Sequence, residues 1–219
     1  MAVSAEERRF LLTQTVRLAE AELASLWAQA AELATREFFD YIVGAYPVVV
    51  DPYVDMASTL AATWFEESDP ASVYRAVVAP PAPVEQLRAN ARWALKATGE
   101  QGRTDLAGSM NRAVFDGARE TTLLNVERTD SLWAVHARPS ACPWCRMMAT
   151  RGAVYKSAAN ALKACHDNGH CVAMEDRTGD YQPPSYMEQW EDEYLKARAN
   201  SGSGDPKQIQ AAWRQLLNQ

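Results

Sequence analysis

Residues 142–171 read CPWCRMMATRGAVYKSAANALKACHDNGHC and hold all four cysteines and two of the three histidines of a 219-residue chain. Cys142-Pro143-Trp144-Cys145 is a Cys-x2-Cys turn, which directs two thiolates toward one point. Zinc takes four tetrahedral ligands, so a second pair must come from Cys165, His166, His170 and Cys171. Sequence neighbours rarely both reach one ion. The reading therefore takes one residue from each end: Cys142, Cys145, His166 and Cys171, with His170 as first substitute and Cys165 as second. A thioredoxin-like redox pair and buried free thiols are the alternatives, but the redox pair wants a βαβ context that these flanks do not offer. Asp167 is the only acid between the two knuckles, and no His-x-Glu or His-Glu-x-x-His element accompanies them. The expected zinc is structural, with no general base for catalysis. A closed site contributes roughly 10–16 kcal/mol, against about 5–15 kcal/mol for a whole domain.

Around this stretch the sequence reads as a small α+β unit over 129–178. Ser131 to Ala137 alternates loosely, Gly152 to Tyr155 and Cys171 to Met174 look like short strands, and Ser157 to Ala164 is an alanine-rich helix. Large apolar residues are few, so the core looks too thin without a metal.

Upstream, residues 1–128 read as a helical region. Leu12, Val16, Ala19, Leu23, Leu26, Ala30 and Leu33 recur at alternating steps of four and three, predicting one amphipathic helix from 4 to about 40. Ser4 and Glu7 make a capping box at its start. That helix packs on its own chain or docks on another subunit. Asp51-Pro52 and Asp69-Pro70 each place a capping acid before an N1 proline and predict two more helix starts. Helices over about 84–98 and about 104–127 follow, the second with a stripe of Leu106, Met110, Ala113 and Gly117.

Downstream, residues 179–200 predict an acidic helix opened by a Ser185/Glu188 capping box. Ser201-Gly202-Ser203-Gly204 reads as a flexible linker, and 205–219 as a C-terminal amphipathic helix that docks on its own chain or a partner's. The fold class is thus mainly α: an N-terminal helical region, a small zinc-stapled α+β unit and a tethered C-terminal helix.

A net charge of −6 argues against a protein that coats nucleic acid through overall charge. The N-terminus MAVSAEERRF lacks a signal-peptide core, and no run approaches the roughly 20 apolar residues of a membrane span. The expectation is a chain kept in a reducing cytoplasm, with no membrane partner. Locally the charge reverses. From Ser131 to Val172 five cations (Arg138, Arg146, Arg151, Lys156, Lys163) face only Asp167, a net of +4, and an acidic stretch follows. Two readings stay open: contacts to DNA phosphates through Arg146 and Arg151, or salt bridges to the acidic stretch.

The stretch from about Trp133 to Met174 resembles the Mu F-like (MuF) minor head proteins of tailed bacteriophages, in the versions found in phages of actinobacteria. The resemblance rests on Arg138-Pro139 ahead of the Cys142–Cys145 turn, on Arg146-Met147-Met148-Ala149, on Arg151-Gly152-Ala153-Val154-Tyr155 and on His166 through Cys171. Family members close this region with a histidine and two cysteines one residue apart; here Gly169 stands where the first of those cysteines is expected. The resemblance implies a non-enzymatic minor capsid protein in the virion interior, associated with the portal protein and vertex and contacting packaged DNA non-specifically. Partner contacts would run through the 4–40 and 205–219 helices, and the host cytoplasm is its place during assembly. Two alternatives stand beside it. A capsid maturation protease would have only His136 free of the metal cluster as base, with Ser131 or Ser140 as nucleophile. A host zinc-binding adaptor or DNA-binding module is the other.

Overall fold

The computed structural model describes residues 3–157 and 169–217. Its elements are helices α1 (Ala5–Ala30), α2 (Thr35–Glu67), α3 (Val84–Ala94) and α4 (Gly99–Thr129), strand β1 (Leu132–His136), helix α5 (Pro143–Ala149), strand β2 (Val172–Asp176) and helices α6 (Tyr186–Ser201) and α7 (Pro206–Leu217). The mainly α expectation holds. The predicted 157–164 helix falls largely outside the described residues.

The heptad-like seam of α1 is buried from Leu12 to Ala30 against α2 and α4, and the Ser4/Glu7 capping box forms at its start. The single helix to about residue 40 is corrected: the chain turns at 31–34, and Leu33 is exposed. One helix of that length would run about 55 Å and leave its seam uncovered; turning back lets α2 cover it. Trp27 meets Phe38 edge-on at 4.9 Å across the corner.

The next two helix starts are also corrected. α2 runs unbroken through Pro47 and Pro52, so Asp51-Pro52 lies inside a helix rather than at its start. Each proline denies a helical partner to the carbonyl four residues back, at Val43 and Val48. Burial outweighs the loss: Ile42, Tyr46, Val50 and Phe65 are fully enclosed on this helix, each worth roughly 1.5–3 kcal/mol. Asp69-Pro70 opens no helix either. The chain crosses from α2 to α3 as an extended strap because α4 captures its backbone. Asn125 accepts from the Val77 amide at 2.8 Å and donates to the Val77 carbonyl at 2.8 Å, as a neighbouring strand would. Thr121 accepts from the Ala79 amide at 3.1 Å and Glu66 from the Ala76 amide at 2.9 Å.

α4 crosses α2 at close range. A Cβ on Gly117 would come within 2.8 Å of both Val54 Cγ1 and Ser58 Oγ, so only glycine permits this approach. At the end of α4, Asp130 takes a left-handed conformation (φ 49°) and the chain enters β1, antiparallel to β2 with Ala134 opposite Met174. The strand expected at 152–155 contributes one bridge, Tyr155 to Trp133.

The C-terminal elements differ from a tethered helix. The Ser185/Glu188 box does not form, because Ser185 is itself helical and makes no capping bond. The 201–204 linker is a tight turn. Gly202 is left-handed (φ 60°), and the hydroxyls of Ser201 and Ser203 accept the amides of Ser203 and Asp205 at 3.3 and 3.0 Å. α7 folds back on α6 and buries Ile209 and Trp213, the Trp213 ring N–H donating to Glu193 at 2.9 Å. The core around β1 is therefore not thin. Phe65, Leu123 and Val126 from the bundle and Met187, Trp190, Ile209 and Trp213 from the C-terminal hairpin close over Trp133 and Met147. The apolar faces expected to meet partners, on α1 and on α7, are used within the chain.

Candidate metal centre

Cys142 is the N-cap of α5 with extended backbone (φ −67°, ψ 159°), Pro143 takes the first helical position, and Cys145 follows within the first turn. Cys171 immediately precedes β2. The β1–β2 pairing brings the two stretches together, and Cys145 and Cys171, 26 apart in sequence, fall in one apolar cluster with Cys142 packed against it. Cys145 and Cys171 are buried and Cys142 half-buried.

Side-chain hydrogen bonds link Cys145 to both Cys142 and Cys171. These bonds and burial push the Cys145 thiol up. The bond with Cys145 draws Cys171 the other way, to about 7, and the Arg119 guanidinium adds to that fall. Among the described residues, no group of three or more His, Cys, Asp or Glu side chains is arranged to hold a metal ion. The thiols are neighbours rather than a formed coordination sphere. The donor chemistry fits zinc: three soft sulfurs, two of them buried.

Of the other predicted ligands, His166 and its substitute Cys165 lie outside the described residues. His170 is turned toward α4. Its Nε2 lies 3.3 Å from Asn111 Nδ2, and its ring stands edge-on to Phe115 at 5.0 Å. Burial, then the nearby Arg138, Arg119 and Arg9 charges, hold its pKa below the usual histidine value.

Arg146 is committed to the fold. It donates to the carbonyls of Ala141 (2.9 Å) and Pro139 (3.2 Å), pairs with Glu193 at 2.9 Å, and lies over the Trp190 ring at 5.1 Å. Of the two open readings of the basic stretch, this arginine follows the salt bridge to the acidic segment. Arg151 is exposed.

Of the residues proposed for a protease, Ser131 does not meet His136. Ser131 Oγ is bonded to Thr129 at 2.5 Å, one step before β1 begins. His136 ends that strand, about 16 Å away at roughly 3.3 Å per residue. The His136 ring instead meets Glu6 at 3.1 Å and the Tyr186 hydroxyl at 3.4 Å.

Sequence reasoning missed two buried arginines. Arg119 donates through Nε to the Cys171 carbonyl and through Nη2 to the Gly169 carbonyl, both at 3.0 Å. Arg8 forms a bidentate pair with Glu175 at 2.7 and 2.6 Å, with both side chains almost wholly enclosed. The signal was present for both. Arg8 stands four residues before Leu12 and Arg119 four after Phe115, each on the buried face of its helix. A charge in such a seam implies a buried partner.

No helix among the described residues is long and apolar enough to cross a membrane. A family model described as VG15 protein matches residues 2–197, from before α1 into α6, and the chain belongs to that family of viral gene proteins. Comparisons with curated proteins and with solved structures give no match.

Proposed function

We propose that this VG15 family member is a minor capsid protein of a tailed phage, placed at the portal vertex on the capsid interior, with one structural zinc ion in its 129–178 unit. The observation that supports the metal is the clustering of Cys142, Cys145 and Cys171 around β1 and β2, two of them buried. His166 supplies the fourth donor in this reading, with Cys165 as its substitute. Bound zinc would cross-link α5 to the start of β2. The capsid role rests on membership in a viral family together with the MuF resemblance of 133–174.

With its inner seam used up, α1 offers partners its outer face, where Phe10 and Leu18 are 61% and 56% exposed. Arg151 remains as a phosphate contact for DNA. No catalytic step is assigned to His136 or the serines. The test is twofold. Elemental analysis of the purified chain should return one zinc per molecule, and an inventory of mature virions should contain the protein together with the portal. A metal-free protein would remove the zinc, and absence from virions would remove the capsid role. A gel shift in a salt series checks the DNA contact, which should weaken as salt rises.

A further inference from the structure

Three successive turns of α4 grip the segment that carries Cys171. Asn111, Phe115 and Arg119 are four residues apart, so they share one helix face. Asn111 and Phe115 hold the His170 ring from two sides. Arg119 then binds the two carbonyls that flank His170, those of Gly169 and Cys171. Its own geometry is over-determined. The guanidinium lies over the Phe115 ring at 5.6 Å, and its remaining nitrogen pairs with Asp116. The side chain is 2% exposed, so an arginine whose fork is fixed on three sides sets the backbone of 169–171.

We infer that Arg119 is the positioning residue of the metal centre: it fixes the 169–171 backbone so that the Cys171 thiol is presented to Cys142 and Cys145. This rests on the zinc reading above and adds a residue to it. The two halves of the donor set need different support. Cys142 and Cys145 are placed by one short helix and are close in sequence, so their spacing is local. Cys171 reaches the same pocket only if the chain before β2 holds one path. β2 fixes that path from Val172 onward, and Arg119 fixes it just before. Gly169, where the family pattern expects a cysteine, contributes a carbonyl to this grip instead. The helical bundle thereby acts on the metal without supplying a ligand, as outer-shell partners do in other metal sites.

The experiment uses the full-length protein loaded with zinc and follows zinc transfer to a chromogenic chelator. Wild type, Arg119→Met, Arg119→Lys and Asn125→Ala are compared, with urea stability measured alongside. Asn125 is buried on the same helix and holds the strap, with no bond to the described residues of the metal segment. Arg119→Met should weaken zinc retention about 10- to 100-fold. Arg119→Lys, which keeps the charge but loses the fork, should fall between it and wild type and serves if the Met variant does not fold. Asn125→Ala should lose stability while releasing zinc at the wild-type rate. If both Arg119 variants release zinc at the wild-type rate, or if Asn125→Ala releases it as fast as they do, Arg119 does not position the site. A wild-type protein that takes up no zinc would instead overturn the zinc reading itself.

Discussion

In the bundle of α1, α2, α3 and α4, apolar seams repeat over long helices and the contacts are spread along them. In the region around β1, α5 and β2, two five-residue strands and a seven-residue helix carry little regular structure of their own. The bundle's crossing is set by side-chain volume, as Gly117 against Val54 and Ser58 shows. The second region adds point contacts to the apolar cluster around Trp133: three thiols, the Arg146–Glu193 pair, the Tyr155 hydroxyl on the Met148 carbonyl at 2.9 Å. Distributed packing tolerates the loss of one contact, whereas a directional contact has no neighbour to replace it when it is removed.

The sharpest way to break this contrast is to remove the proposed zinc. Chelation of the zinc-loaded protein, or Cys145→Ser, should abolish the fixed environment of Trp133 and Trp213 in near-ultraviolet circular dichroism. The far-ultraviolet helical signal should largely remain, because the bundle does not depend on the metal. The expected scale is several kcal/mol, since structural zinc sites contribute roughly 10–16 kcal/mol. Equal loss of both signals would mean that the two regions fold as one unit.

The next largest effect belongs to the Arg8–Glu175 pair, which joins α1 to β2. Glu175→Ala leaves a guanidinium enclosed without its partner and should cost about 3–5 kcal/mol in urea unfolding. The double variant Arg8→Met/Glu175→Leu should cost less than the single one, since an apolar pair of similar volume needs no compensation. A smaller effect tests packing in the bundle alone. Gly117→Ala puts a methyl against Val54 and Ser58, with the Val54 carbonyl only 3.1 Å away. It should cost about 1–3 kcal/mol by thermal or urea unfolding without changing zinc retention.

The same contrast explains what was legible in the sequence. Periodic packing writes itself into spacing, so the α1 seam and the Leu106–Met110–Gly117 stripe could be read directly. Local signals were weaker where tertiary contacts compete with them. Proline at 47 and 52 and the Asp-Pro pairs are start and stop signals that burial on α2 and capture by Asn125 override. The glycine-serine run at 201–204 has the composition of a tether, yet paired hydroxyls and a left-handed Gly202 make it a turn. At the candidate centre, the Cys-x2-Cys turn and Cys171 were visible because ligand chemistry is specific to a few residue types. His170 was not separable from His166 by spacing, since its place depends on Asn111 and Phe115, some 55 to 59 residues away in the chain.

The smallest effect concerns the joint between the regions at His136. Its ring is buried, and burial lowers its pKa; Glu6 opposes this more weakly, and Arg9 adds to it. The Tyr186 hydroxyl lies beside it and, like Arg9 and Glu6, faces the ring from outside β1. The unfolded chain therefore binds a proton at higher pH than the folded one. Stability from this group is complete above the unfolded histidine pKa of about 6.5 and is lost as pH falls through the folded value. Unfolding free energy should decline from pH 7 toward pH 5, with a slope from one proton no steeper than about 1.4 kcal/mol per pH unit. His136→Gln should reduce that slope by the His136 share, leaving the share of His170, whose pKa burial also lowers, and the bundle's response to Gly117→Ala unchanged. A slope that persists undiminished in His136→Gln would place the titrating group elsewhere, with His170 the first to examine.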